Sequence, residues 1–453
     1  MWLGACRLNK RILALALILC ASLNILACGS SQPSAGNPGP FRVLASQGVT
    51  TSTAFGGLVT LNGQFDTLAG LPPVTAGSSP GLMAITPGRE ILTAFDASSN
   101  TVYAVSTAKE TALGSVRLQG PTISLIMPTS SAVAFAAVPS ATVPGFSFVG
   151  AIDVMNFTAG SLTTIAVPSA QMVVSNSTGS QLLVFSNGSD GVTVLSPSAA
   201  SPPVDTSCNT APNPVCTVVQ NPSLSRPVNA IINGSTAYIL NCGFECGGNQ
   251  QASVAVFDLG SLTVTNTIPV NGATDALLNG TTLYVVGTGT PTGPLCSSLS
   301  NPINPSTAAT YCGTLDIIDL TTLANPYFNN PSMEIAIPDG YHHRMDFTQD
   351  GQLFVGSYGC TNVGNVNNPV GEVRGCLAIY DSVKGKLVIP PDNGDVGGFQ
   401  GFTTRYIEYV AEGGNLRVYD TTKNVLHINT QFLPTGSIDI IGYVGDVKAI
   451  DFF

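Results

Sequence analysis

Only 9% of this 453-residue chain is charged, yet one region gathers titratable groups. Two of its three histidines stand together in Pro338-Asp-Gly-Tyr-His-His-Arg344. Glu372 and Arg374 follow in Gly371-Glu-Val-Arg-Gly375, Asp392 and Asp395 in Pro391-Asp-Asn-Gly-Asp395, and Glu412 in Ala411-Glu-Gly-Gly414. Tyr341, His342, His343 and Arg344 with these carboxylates and Arg374 could supply a general base, cationic clamps and acids for a polar ligand. Surface loops whose charges pair with one another or meet water would carry the same residues. Adjacent His342 and His343 on extended chain point to opposite sides, which argues against joint chelation of a metal. Cys242-Gly-Phe-Glu-Cys246 has a spacing zinc could use, but no second Cys pair or His lies near it in sequence. His427 stands isolated on what reads as an outer strand. No phosphate loop, nucleophile elbow or zinc-protease helix motif occurs, so no metal and no cofactor is expected.

The elements that must position these residues are strands. One phrase recurs: Ser253-Val-Ala-Val-Phe-Asp258, Thr314-Leu-Asp-Ile-Ile-Asp319, Cys376-Leu-Ala-Ile-Tyr-Asp381 and Asn415-Leu-Arg-Val-Tyr-Asp420. Period-two alternation with β-branched and aromatic residues indicates strands, and a closing Asp followed by Ser, Thr or Gly favours a tight turn. A second phrase precedes it, as in Thr236-Ala-Tyr-Ile-Leu-Asn241 and Thr282-Leu-Tyr-Val-Val-Gly287. Flanking apolar segments complete four strands, A to D, per unit. Units start near 81, 121, 170, 226, 273, 340 and 397, and residues 41–79 form one that lacks its first strand. Asp446-Val-Lys-Ala-Ile-Asp451 reads as an inner strand without a blade of its own. Four-stranded units at this period predict an all-β fold, a β-propeller. The count is eight, with seven as the alternative, and the C-terminal strand closes the ring by completing the first blade. Closure removes the edges an open array would expose.

In such a ring the B–C and D–A loops share one face. The inserts bearing Cys242/Cys246, Cys296/Cys312 and Cys360/Cys376 all fall between B and C, so they should crowd that face over three consecutive blades. Cys208/Cys216 falls between C and D, on the opposite face. The eight cysteines from 208 to 376 thus form four sequence-local pairs. An even count in an exported chain suggests disulfides, although eight cysteines allow 105 pairings. Loops pinned on a rigid scaffold are where sites form.

Export is read from the start of the chain. Arg7, Lys10 and Arg11 precede an apolar run from Ile12 to Leu26, and Leu26-Ala27-Cys28 precedes Gly29-Ser30-Ser31. This is the layout of a secretory signal, too short for a comfortable membrane span. The segment resembles a bacterial lipobox. The resemblance implies cleavage after Ala27, a diacylglycerol on Cys28 and a location in the bacterial cell envelope, outside the cytoplasm. Gly29 in place of Asp favours the outer membrane where there are two. Residues 1–27 are then signal peptide, 28–40 a flexible tether and 41–453 one propeller domain. Over 41–453 the phrases Leu283-Tyr-Val-Val-Gly287 and Ile268-Pro-Val-Asn-Gly272 with the Asp-ended strand resemble the YVTN repeat family of bacterial propellers.

The mature chain would hold 13 basic and 26 acidic residues, a net charge of −13. That disfavours nucleic acid as a partner, since its binding needs clustered Lys and Arg. The sole Trp, Trp2, lies in the signal, which argues against a Trp-lined carbohydrate platform. The reading is a monomeric, lipid-anchored binding or scaffold module. It would hold a protein or small-molecule ligand on its disulfide-decorated loop face, and the reading favours a non-catalytic role without deciding it. The alternative is an extracytoplasmic lactonase-, lyase- or hydrolase-like propeller enzyme using the polar residues of the same face. That alternative rests on fold analogy.

Overall fold

Strands that alternate on one buried face should show a half-exposed pattern. Here the middle strands are buried on both sides: Leu182–Ser186 and Gly191–Leu195 are almost wholly enclosed. The outer strand Thr263–Pro269, by contrast, is largely exposed. Middle strands are enclosed because each four-stranded sheet is stacked between two others. The computed structural model describes residues 41–49, 56–197, 216–288, 313–330, 332–360, 376–390, 394–402, 405–421 and 436–451. Outside them lie Cys28, Cys208, Cys296, Cys312, Glu372, Arg374, Asp392 and His427.

The described residues form eight four-stranded antiparallel sheets. Their inner strands are Val447–Ala449, Pro80–Ile85, Ser124–Ile126, Ala170–Ser175, Pro227–Asn233, Asp275–Asn279, Tyr341–Phe347 and Val396–Phe402, of blades 1 to 8. Each packs beside the next, and Val396–Phe402 returns to Val447–Ala449, so the inner strands complete a circle. The protein is therefore an all-β, eight-bladed propeller, and the seven-bladed alternative does not hold. Hydrophobic clusters span neighbouring blades rather than lying within one. Phe402, Tyr409 and Val418 of blade 8 pack with Val43, Leu61 and Val447 of blade 1.

Blade 1 is built from both ends of the repeat array. Val43 pairs with Ala449 and Ala45 with Val447, next to the strands Gly57–Asn62 and Thr67–Leu68. Arg42 secures the seam: its Nε and Nη2 donate to Asp451 at 2.7 and 3.0 Å, and its Nη1 donates to Glu110 of blade 2 at 2.8 Å. Three of the four Asp residues that end the repeated phrase are seen as turn caps among the described residues. Asp258 accepts from Ser261 N, Asp319 from Thr321 N, and Asp381 from Val383 N and Lys384 N. Turn geometry accounts for them without a bound cation.

Two expected disulfides are formed, Cys242–Cys246 and Cys360–Cys376, both between strands B and C. Cys216 opens the outer strand of blade 4 and is also disulfide-bonded, while its candidate partner Cys208 lies outside the described residues. Cys360–Cys376 spans 16 positions. Replacing both by Ser is expected to lower stability by about 3 kcal/mol, the chain-entropy value for a loop of that size. The Cys242–Cys246 loop, at a separation of 4, should matter less. Urea unfolding of the two double variants checks the order.

Candidate functional site at the axial opening

Inner strands begin on the face that carries the B–C loops. Their first residues therefore ring the axial opening there. A chamber with two lobes, of about 360 and 280 Å³, occupies this position, and Ile123 and Tyr341 line both lobes. Its walls come largely from the starts of inner strands or the links into them: Gly81 and Leu82, Thr122 and Ile123, Gln171 and Met172, Arg226 and Pro227, Tyr341, His343 and Arg344, Gly397 and Gly445. Cys246 brings the disulfide loop of blade 5 to the rim.

That loop is fastened to its neighbours. Glu245 accepts from Thr288 N at 2.9 Å, and Thr288 Oγ1 donates to the Gly340 carbonyl at 2.8 Å. Blades 5, 6 and 7 are thus tied together beside the opening. Several large apolar side chains on this face are exposed, among them Ile123, Phe244, Tyr341, Tyr358 and Tyr443. Around the mouth they make a surface suited to binding rather than to solvation.

Tyr341–Arg344 is the inner strand of blade 7, not the link into it. A register shift between His342 and Arg344 lets His343 and Arg344 both reach the chamber. The His343 ring stacks on Tyr358 with centroids 3.8 Å apart at 15°, and Tyr341 lies parallel at 6.1 Å. Nδ1 of His343 lies 3.2 Å from the Tyr341 carbonyl. Burial first, then the Arg344 charge, push its pKa down to about 3. His343 is thus held as a neutral aromatic plate in an aromatic stack near neutral pH. His342 points the other way, fully buried, with Nε2 2.9 Å from the Pro338 carbonyl. Burial lowers its pKa to about 4, and its role is structural. Burial raises the pKa of Tyr341 and of Tyr358, which keeps both hydroxyls as donors.

Arg344 is half-buried in the chamber wall. Its Nε donates to the Gly397 carbonyl at 3.3 Å and Nη1 to the His343 carbonyl at 3.1 Å. No carboxylate lies within ion-pair distance of it among the described residues. Arg226 in the other lobe differs, since it lies 3.8 Å from Asp190. Buried Asp275 feels its charge without forming an ion pair with it, so the guanidinium, hydrogen-bonded to two carbonyls on an apolar and aromatic wall, keeps donors for an anion.

The carboxylates expected on this face are placed differently. Glu412 ends the second strand of blade 8, is fully buried and accepts from Tyr419 Oη at 3.0 Å. It is not in a surface loop and does not line the chamber, because strand pairing carries Glu412 into the blade before the Gly413-Gly414 turn. Asp395 is exposed and accepts from Gly359 N at 2.7 Å, holding a loop rather than facing the opening. Glu372, Arg374 and Asp392 fall outside the described residues. Sequence reasoning missed Tyr358, Ile123 and Met172, which lie on three blades and share no local motif.

The histidines also set a pH dependence. Unfolded His titrates near pH 6.5, whereas the folded rings resist protonation down to about 4 and about 3. Between these values the unfolded chain binds more protons, so this contribution is lost as pH falls. Asp275 and Asp316 act oppositely. Burial raises both to about 6, so they gain protons first in the folded chain. A His343→Phe protein should therefore lose less stability than the parent between pH 7 and pH 4.5, as read from urea midpoints.

No protein-family model matches the chain in sequence, and no curated protein is significantly similar to it. Solved structures are similar in fold. Dihydro-heme d1 dehydrogenase NirN in complex with DHE superposes with a TM-score of 0.58 at 12% identity, covering 91% of this chain and 76% of that one. Hydrazine synthase of Kuenenia stuttgartiensis reaches a TM-score of 0.45 at 12% identity, over 85% and 96% of the two chains. At 12% identity the likeness to NirN is one of fold alone.

Proposed function

We propose that this chain is a ligand-binding propeller whose axial chamber takes a small organic anion with a flat, unsaturated body. The observation that carries the reading is Arg344, a cation without a carboxylate partner among the described residues, set beside the Tyr341–His343–Tyr358 stack. The carboxylate or similar head would meet the guanidinium and the tyrosine hydroxyls. The flat body would lie against Ile123, Met172 and the aromatic rings. The lipobox resemblance supports placing the module outside the cytoplasm, lipid-anchored through Cys28 and tethered by residues 29–40, as a monomer in the cell envelope. The YVTN resemblance belongs to the same proposal.

The enzyme alternative has weaker support. Both candidate histidines are held neutral far from the pH at which a proton shuttle works, and no described carboxylate lines the chamber. Calorimetric titration with benzoate, cyclohexanecarboxylate, benzyl alcohol and benzylamine tests the binding reading. Benzoate should bind best and benzylamine not at all. Equal binding of all four, or none, would overturn it.

A further inference from the structure

The ring has a second mouth, on the A–B and C–D face, and its chemistry is the reverse of the first. A cavity of about 230 Å³ is lined there by Asp346, Phe347, Gln400, Phe402, Ile407 and Glu408. Glu408 is fully buried, and neither of its carboxyl oxygens has a hydrogen-bond donor among the described residues. Gly401 makes room for it: a Cβ there would lie 2.2 Å from Glu408 Oε2. Asp346, facing Glu408, accepts from Phe347 N at 2.8 Å and from Gly401 N at 3.2 Å. Two carboxyl groups can join directly only through a proton, so Glu408 is without a partner unless it carries one shared with Asp346. Burial, and then the charge of Asp346, hold Glu408 well above the usual carboxylate range. Asp350 adds to this from the turn after the inner strand of blade 7, and Lys448 opposes it from the closing strand. Arg89 reaches the cavity from blade 2, where it donates to the Ala449 carbonyl and its charge is felt by Asp346.

We propose that this cavity binds a primary ammonium group between Asp346 and Glu408. The alkyl part would lie on Phe347, Phe402 and Ile407. No covalent bond changes: R–NH3⁺ enters, the Glu408 proton leaves to buffer, and the charge of the site is unchanged. An ammonium has three donors, and the two Glu408 oxygens have none among the described residues. A metal ion suits the cavity less well. No group of three or more His, Cys, Asp or Glu able to hold one occurs among the described residues, and a calcium ion wants six to eight oxygens.

The test is calorimetric titration of the mature protein with n-butylammonium, between pH 6 and pH 8, in buffers of different ionisation enthalpy. One equivalent should bind with release of about one proton, and affinity should rise close to tenfold per pH unit while the pair retains it. Tetramethylammonium, which has no N–H, should not bind. Glu408→Gln keeps the shape, and should weaken butylammonium binding about tenfold or more and abolish proton release. Lys384→Ala, on the surface and lining neither cavity, should leave it unchanged. The proposal is overturned by no butylammonium binding, by equal binding in Glu408→Gln, or by calcium chloride binding in the amine's place. If Glu408→Gln does not fold, the parent decides: amine binding without proton release overturns the proposal.

Discussion

An Asp446→Ala protein should lose about 3–5 kcal/mol of folding stability, the cost of removing one partner from a buried charged contact. Asp446 is fully buried where the last strand meets blades 2 and 8. Its Oδ2 accepts from Met83 N at 2.9 Å, and its Oδ1 accepts from Val447 N at 2.8 Å and Lys448 Nζ at 2.9 Å. Alanine leaves two backbone donors and an ammonium without that acceptor, and water has little access to replace it. The same residue explains a glycine in the next blade, because a Cβ at Gly398 would lie 1.8 Å from Asp446 Oδ1. Gly398→Ala should therefore destabilise through the same contact, and less than additively with Asp446→Ala. Lys384→Ala is the control. Its bridge to Asp381 is surface-exposed on the lysine side, and exposed pairs contribute about 0–1 kcal/mol. Urea unfolding of the four proteins measures all of this.

Arg344→Gln should weaken binding of an aromatic carboxylate about 10- to 100-fold, the range set by about 1.5–3 kcal/mol for a hydrogen bond to a charged group. It should leave the unfolding midpoint nearly unchanged, since Arg344 bonds only two backbone carbonyls and no described carboxylate. Lysine at this position should recover part of the loss, because it restores the charge but not the two-pronged geometry. Tyr358→Leu should weaken binding by a smaller factor, by removing one plate of the stack with His343. Calorimetry separates the cases, as the arginine variant loses its salt dependence and the tyrosine variant keeps it.

Much of the architecture was legible because the repeat is local. The phrase ending at Asp258 contains its own strand and its own turn cap, so counting phrases counts blades. The closing strand was legible for a related reason: Val447–Ala449 alternates like an inner strand, and the unit over 41–79 lacks one. The site was only partly legible. That His342 and His343 diverge follows from extended backbone, but the register shift that admits Arg344 to the chamber depends on pairing with Gly356 and Ser357. Glu412 looked like a loop residue beside two glycines, whereas its pairing with Asn415 places it inside the blade. Asp346 and Glu408 lie 62 positions apart on different blades, and only the ring brings them together. A weak signal was present: Glu408 stands in Tyr406-Ile-Glu-Tyr-Val410, in a run from Ile407 to Ala411 otherwise apolar enough to be buried on both faces.

Crystals soaked in 4-bromobenzoate offer the sharpest check, since bromine can be located by its anomalous signal without reference to any side chain. The peak should fall in the axial chamber between Ile123 and the Tyr341–His343–Tyr358 stack, with the carboxylate on Arg344. A peak only outside the chamber, or none at saturating concentration, would contradict the assignment of this opening as an anion-binding site.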